Sequence, residues 1–161
     1  MEFNFKGRDI LNGYDFTTQE LCHIMDTAMI YEKRVRSGEV IRDCAGILVA
    51  TLFFEPSTRT RLSFNAAIQR VGASTINLGS IGASSQSKGE TWQDTLRTVD
   101  GYVDAIVMRH PTCGAAIEAA DIAIVKNCFA PLLWSEGNLP GFLRLVSQLL
   151  ELLITGEKLR Y

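Results

Sequence analysis

Gly46–Phe54 reads GILVATLFF, a nearly unbroken apolar run that closes at Glu55-Pro56. Runs of this length and character suit a parallel strand covered on both faces, because neither side alternates toward water. Pro56 disfavours helix at the residue before it, so the strand ends at Glu55. A polar turn, Ser57-Thr58-Arg59-Thr60-Arg61, follows and leads into a helical stretch through Arg70. Ser74–Leu78 reads as a second strand and Ala105–Met108 as a third, short and buried. Thr91 opens a helix with Trp92, Thr95, Leu96 and Val99 on one face, and Gly114–Ala120 is helical. Upstream, Thr17 and Glu20 form a T-x-x-E capping box, Phe16 and Leu21 supply a hydrophobic staple, and Leu21, Ile24, Met25, Ala28 and Tyr31 keep helical spacing as far as Ser37-Gly38. Helices alternating with strands imply an α/β domain, a mainly parallel sheet flanked by helices.

The chain has 161 residues, of which 47% are hydrophobic and 21% charged, with a net charge of −2. That is a normal globular balance for one ordinary domain, and it offers no global basic field for nucleic acid or an anionic membrane. Any anion site must therefore be local. No apolar stretch approaches a membrane span, and the N-terminus MEFNFKGRDI has no apolar core of a secretory signal, so the expected compartment is the cytoplasm. Cys22, Cys44, Cys113 and Cys128 are scattered without metal-ligand spacing and are expected to be reduced and mostly buried. His23 is expected to be structural.

Ligands of parallel sheets bind outside the carboxyl ends of the strands. The most polar, small-residue-rich segments fall there: Pro56–Arg61, Gly79–Gly89 and Arg109–Pro111. In the first, a helix N-terminus, hydroxyls and an arginine are the parts of a phosphate cradle, although the same residues serve as a capped helix start with two solvated arginines. The second, GSIGASSQSKG, has Lys88 as its single charge and suits either a mobile lid over an anion or an ordinary surface connection; it is not a Walker A sequence. Arg109 can point into the cleft or form a salt bridge at the sheet edge.

Together, FFEPSTRTRLSF (Phe53–Phe64), KGETWQDTLRTVDGY (Lys88–Tyr102) and the AIVMRHP stretch ending at Pro111 resemble the aspartate carbamoyltransferase family, with similarity from about Lys6 to about Ala120. The resemblance implies transfer of a carbamoyl group from carbamoyl phosphate to aspartate, without a cofactor. It implies that Ser57, Thr58, Arg59 and Thr60 hold the phosphate, that Arg109 contacts the carbamoyl oxygen and phosphate, and that Thr60 helps polarise the carbonyl. Ser84 and Lys88 would reach into a neighbouring subunit's site, making the unit a homotrimer; some members of the family also assemble with regulatory chains. The expected division is a carbamoyl-phosphate-binding domain over residues 1–124 and an atypical tail over 125–161, with the aspartate-binding domain absent.

The tail departs from the family pattern. Aligning Pro140 with the family's H-P-x-Q motif puts Leu139 at the histidine and Phe142 at the glutamine position. Phe142, Leu145, Val146, Leu149, Leu152 and Leu153 flank a polar stripe of Arg144, Ser147, Gln148 and Glu151, the pattern of an amphipathic helix with a wide buried face.

Overall fold

The computed structural model describes residue 5, residues 7–11, 15–78 and 90–124, and the backbone of 128–129. In chain order the elements are α1 (Thr18–Arg36), β1 (Leu48–Phe53), α2 (Thr58–Arg70), β2 (Ser74–Asn77), α3 (Trp92–Asp100), β3 (Ala105–Arg109), α4 (Ala115–Ile122) and β4 (Cys128–Phe129). The strands lie in the order β2-β1-β3-β4, all parallel. β1 is therefore interior, and its burial on both faces explains its unbroken apolar sequence. The short β4 was not foreseen. The tail helix expected beyond it lies outside the described residues.

Alternation along the strands builds two apolar layers. Val49, Phe53, Ala105 and Val107 face α1 and α2, packing with Ile24, Tyr31, Phe64, Ala67 and Ile68. Ala50, Leu52, Phe54, Ile106 and Met108 face the other way, onto Leu96 and Val99 of α3 and the alanines of α4. Small Ala115, Ala116 and Ala119 bring α4 close to the sheet.

The capping box at Thr17 forms: Glu20 N–H donates to Thr17 Oγ1, and the Glu20 carboxylate accepts from Thr17 N–H at 2.7 Å. That bond and Arg8 hold the Glu20 carboxyl below its ordinary pKa. Leu21, expected to staple to Phe16, is 40% exposed, and the Phe16 ring meets Phe5 edge-on. The buried stripe of α1 is narrower than its apolar spacing implied, comprising Ile24, Ala28 and Tyr31. His23 stacks on Phe5, in keeping with a structural role. The cysteine expectation holds in part. Cys22, Cys44 and Cys113 are free thiols, but only Cys44 is buried, and burial raises its thiol to about 12.

At the amino ends of the strands, the α1–β1 connection is laced to the α2–β2 turn. Cys44 N–H donates to Val71 O at 3.0 Å, and Arg34 pairs with both Glu39 and Asp43. Gly72 sits in this turn at φ +89°, where an added Cβ would lie 2.8 Å from the Arg42 Cα. Both the left-handed conformation and the backbone contact exclude a side chain. Gly72→Ala is therefore expected to destabilise the fold by about 2 kcal/mol or more, read from the denaturant midpoint; an unchanged midpoint would show that the turn relaxes freely.

Candidate anion-binding site

β1 connects to β2 on one side, and the chain then crosses back to place β3 on the other side of β1. The strand order thus reverses between β1 and β3, and it is outside the carboxyl ends of strands at such a reversal that open parallel sheets bind ligands. The register sets Phe53 opposite Arg109. Arg109 follows Ala105 and Val107 in parity, so its side chain emerges on the α2 side of the sheet. The first turn of α2 begins on that side.

Arg109 fastens the two strand ends together. Its Nε donates to the Glu55 carboxylate in a short ion pair. Its Nη1 donates to Ser57 Oγ at 2.9 Å and reaches Thr60 Oγ1 at 3.4 Å. Phe54 N–H donates to Arg109 O at 2.9 Å, closing the pair through the backbone. Ser57 is the N-cap of α2, but its side chain makes no capping bond. The first-turn N–H groups thus lack the usual side-chain acceptor and point outward with the positive end of the helix dipole.

The structure brings Ser57, Thr60 and Arg109 together, all half-buried. Thr58 and Arg59 lie on the same first turn but are exposed, and among the described residues Arg59 has no ion pair. Ser84 and Lys88 fall outside the described residues. The salt bridge that Arg109 could make at a sheet edge does form, but its carboxylate comes from the cradle loop, and β4 lies outside β3. Glu55 was missed as a site residue. Its signal was a carboxylate at the last position before the turn, with Arg59 and Arg61 close behind it in sequence as the more obvious partners. Among the described residues no cluster of His, Cys, Asp and Glu could hold a metal ion, and no helix is long and apolar enough to cross a membrane.

Behind Arg109, the next residue points to the opposite face. The His110 ring lies 5.1 Å from Phe54 and 5.0 Å from Trp92, centroid to centroid. Its Nδ1 accepts from Thr112 N–H at 3.1 Å, which makes the neutral ring an acceptor and shapes the turn after β3.

A profile for the "Aspartate/ornithine carbamoyltransferase, carbamoyl-P binding domain" matches residues 8–130. The chain belongs to this family. It is 50% identical over 121 residues to the aspartate carbamoyltransferase catalytic subunit of Methanosarcina acetivorans, covering 75% of this chain and 39% of that protein. The corresponding subunit of Methanocella arvoryzae is 48% identical over 122 residues, covering 76% and 39%. Among solved structures, aspartate transcarbamoylase from Trypanosoma cruzi in complex with carbamoyl phosphate superposes with a TM-score of 0.74 at 37% identity, over 78% of this chain and 40% of that one. The catalytic subunit of M. jannaschii aspartate transcarbamoylase gives 0.72 at 36% identity, over 77% and 41%. The chain thus spans about 40% of the length of the relatives it matches.

Burial pushes the His110 imidazole below its ordinary value of 6.5, and the Glu118 and Glu55 carboxylates only partly oppose it. The unfolded chain therefore takes up this proton at higher pH than the folded one. The associated stability is complete above 6.5 and is lost as pH falls through the lowered folded value. His110→Asn, which keeps an acceptor for Thr112 N–H, is expected to lose that component of the pH dependence in denaturant titrations on either side of 6.5. An unchanged curve would place the acid sensitivity elsewhere.

Proposed function

We propose that this chain is the carbamoyl-phosphate-binding portion of an aspartate carbamoyltransferase, the enzyme that moves a carbamoyl group from carbamoyl phosphate to L-aspartate at the start of pyrimidine synthesis. The observation that carries this reading is the convergence of Arg109 with the Ser57 and Thr60 hydroxyls, at 2.9 and 3.4 Å, at the strand ends where the sheet order reverses. A guanidinium, two hydroxyls and a helix N-terminus form a set of donors suited to a phosphate. In this reading Ser57, Thr58, Arg59 and Thr60 hold the phosphate. Arg109 contacts the phosphate and the carbamoyl oxygen, and Thr60 helps polarise the carbonyl.

The reaction requires no covalent intermediate. The aspartate amine attacks the carbonyl carbon and forms the C–N bond. The C–O bond to phosphate then breaks, and the phosphate leaves with the electron pair and accepts the amine proton. Arg109 and the cradle donors stabilise the tetrahedral oxyanion and the departing phosphate, and holding both reactants side by side supplies much of the remaining acceleration. The Glu55 carboxylate is a built-in competitor for the Arg109 guanidinium, so phosphate binding trades one anion for another at the same donor.

Aspartate enters this reading where a second domain is supplied. The working unit is a cytoplasmic homotrimer in which Ser84 and Lys88 reach a neighbour's site, with a regulatory chain as a further partner. A second reading, a carbamoyl-phosphate-binding protein without turnover, is favoured by Leu139 and Phe142 at the positions of the family's histidine and glutamine.

Calorimetric titration with carbamoyl phosphate tests the site. Saturable binding is expected, weakened about 30-fold or more in Arg109→Ala and abolished in Arg59→Ala; full affinity in either folded variant would remove that residue from the cradle. Trimers mixed from Arg59→Ala and Lys88→Ala chains are expected to regain part of the binding stoichiometry that each pure variant lacks. No recovery in confirmed mixed trimers would rule out shared sites.

A further inference from the structure

Thr51 lies in the middle of β1, on the face that otherwise presents Val49 and Phe53, and is fully buried. A hydroxyl at such a place must be hydrogen-bonded, or its desolvation destabilises the fold. Thr51 Oγ1 lies 2.5 Å from Asn77 Oδ1 and 3.2 Å from Asn65 Oδ1, so its proton is shared between two side-chain carbonyls. Asn65 Nδ2 also donates to Asn77 Oδ1 at 2.8 Å. These residues join β1, α2 and β2, and Leu78 N–H adds a longer bond to Thr51 O at 3.4 Å.

The location gives the network its significance. Asn65 lies about 12 Å along α2 from Ser57, given the helix rise. α2 otherwise meets the sheet through Phe64, Ala67 and Ile68. Apolar contacts hold a helix down, but they are non-directional and fix its axial position only loosely. Hydrogen bonds with defined acceptors fix it more tightly. The cradle needs that accuracy, because Ser57 and Thr60 must meet an arginine carried by a different strand.

We propose that Thr51, Asn65 and Asn77 are positioning residues for the anion site, setting where the first turn of α2 stands relative to Arg109. This rests on the anion-site reading above.

The test uses the full chain with inorganic phosphate as the probe. Thr51→Val removes the hydroxyl with little change of shape, and Thr51→Ser retains it. Phosphate affinity is measured by calorimetry well below each unfolding midpoint, and the Arg109 Nε–H resonance reports cradle geometry independently. Thr51→Val is expected to weaken phosphate binding about fivefold or more and to shift the Arg109 resonance, with Thr51→Ser within about twofold of the parent. Affinity within about twofold of the parent in folded Thr51→Val overturns the proposal, as does weaker binding with an unmoved resonance. If the parent binds no phosphate, the anion-site reading fails, and the Arg109 resonance alone decides the positioning role. If Thr51→Val does not fold, Asn65→Leu, on the partly exposed side of the helix, takes its place with the same expected outcomes.

Discussion

The parallel pairing of β1 with β3 is the constraint on which the rest of the site depends. It sets Phe53 beside Arg109, so that the loop leaving one strand and the last residue of the other meet at a single level. A slip of one residue in that register would turn Arg109 toward the α3 and α4 layer. It would bring His110 to the α2 face and separate the guanidinium from Glu55, Ser57 and Thr60. The register in turn depends on the apolar layers, because Val107 and Met108 must enter opposite cores. The polar chemistry at the strand ends is thus held in place by aliphatic packing a few residues below it.

Arg109 also bears on how an anion site could be built on a chain of slightly negative net charge. With a net charge of −2, the chain as a whole does not attract anions. On the proposed reading, the donors come from the convergence of a guanidinium with a helix N-terminus at the strand ends. The Glu55 carboxylate holds the guanidinium paired and oriented beside the start of α2. On the opposite face, Phe54, Trp92 and His110 form a cluster of rings that supports the turn behind the arginine.

The sequence was most legible where physics is local. The Thr17 capping box closes within one turn, and the apolar run of β1 announces burial on two faces; both are present as read. The start of α2 was legible because helix starts carry recognisable hydroxyl residues at fixed offsets. Contacts between distant segments were not. Glu55 reaches Arg109 across 54 positions, and Asn65 and Asn77 resemble ordinary polar residues until the fold places them against Thr51. Leu21 fits the apolar period of α1, yet it is exposed, and the buried residues of that helix are Ile24, Ala28 and Tyr31. β4, with only two residues, carries too little pattern to be read before its neighbour is known.

The diverted cap of α2 has a thermodynamic consequence. Most helices satisfy part of their first turn with their own N-cap side chain, whereas here the Ser57 hydroxyl is engaged by Arg109 and makes no such bond. The first-turn N–H groups that the Ser57 side chain does not cap must then be satisfied by water or by an anion at the start of α2. On the proposed reading, occupancy and helix stability are linked variables, because a ligand that completes the turn favours the folded state in proportion to the logarithm of its concentration. The domain would then be a stability sensor for its own substrate, loosest at the site when the anion is scarce and most ordered when it is plentiful.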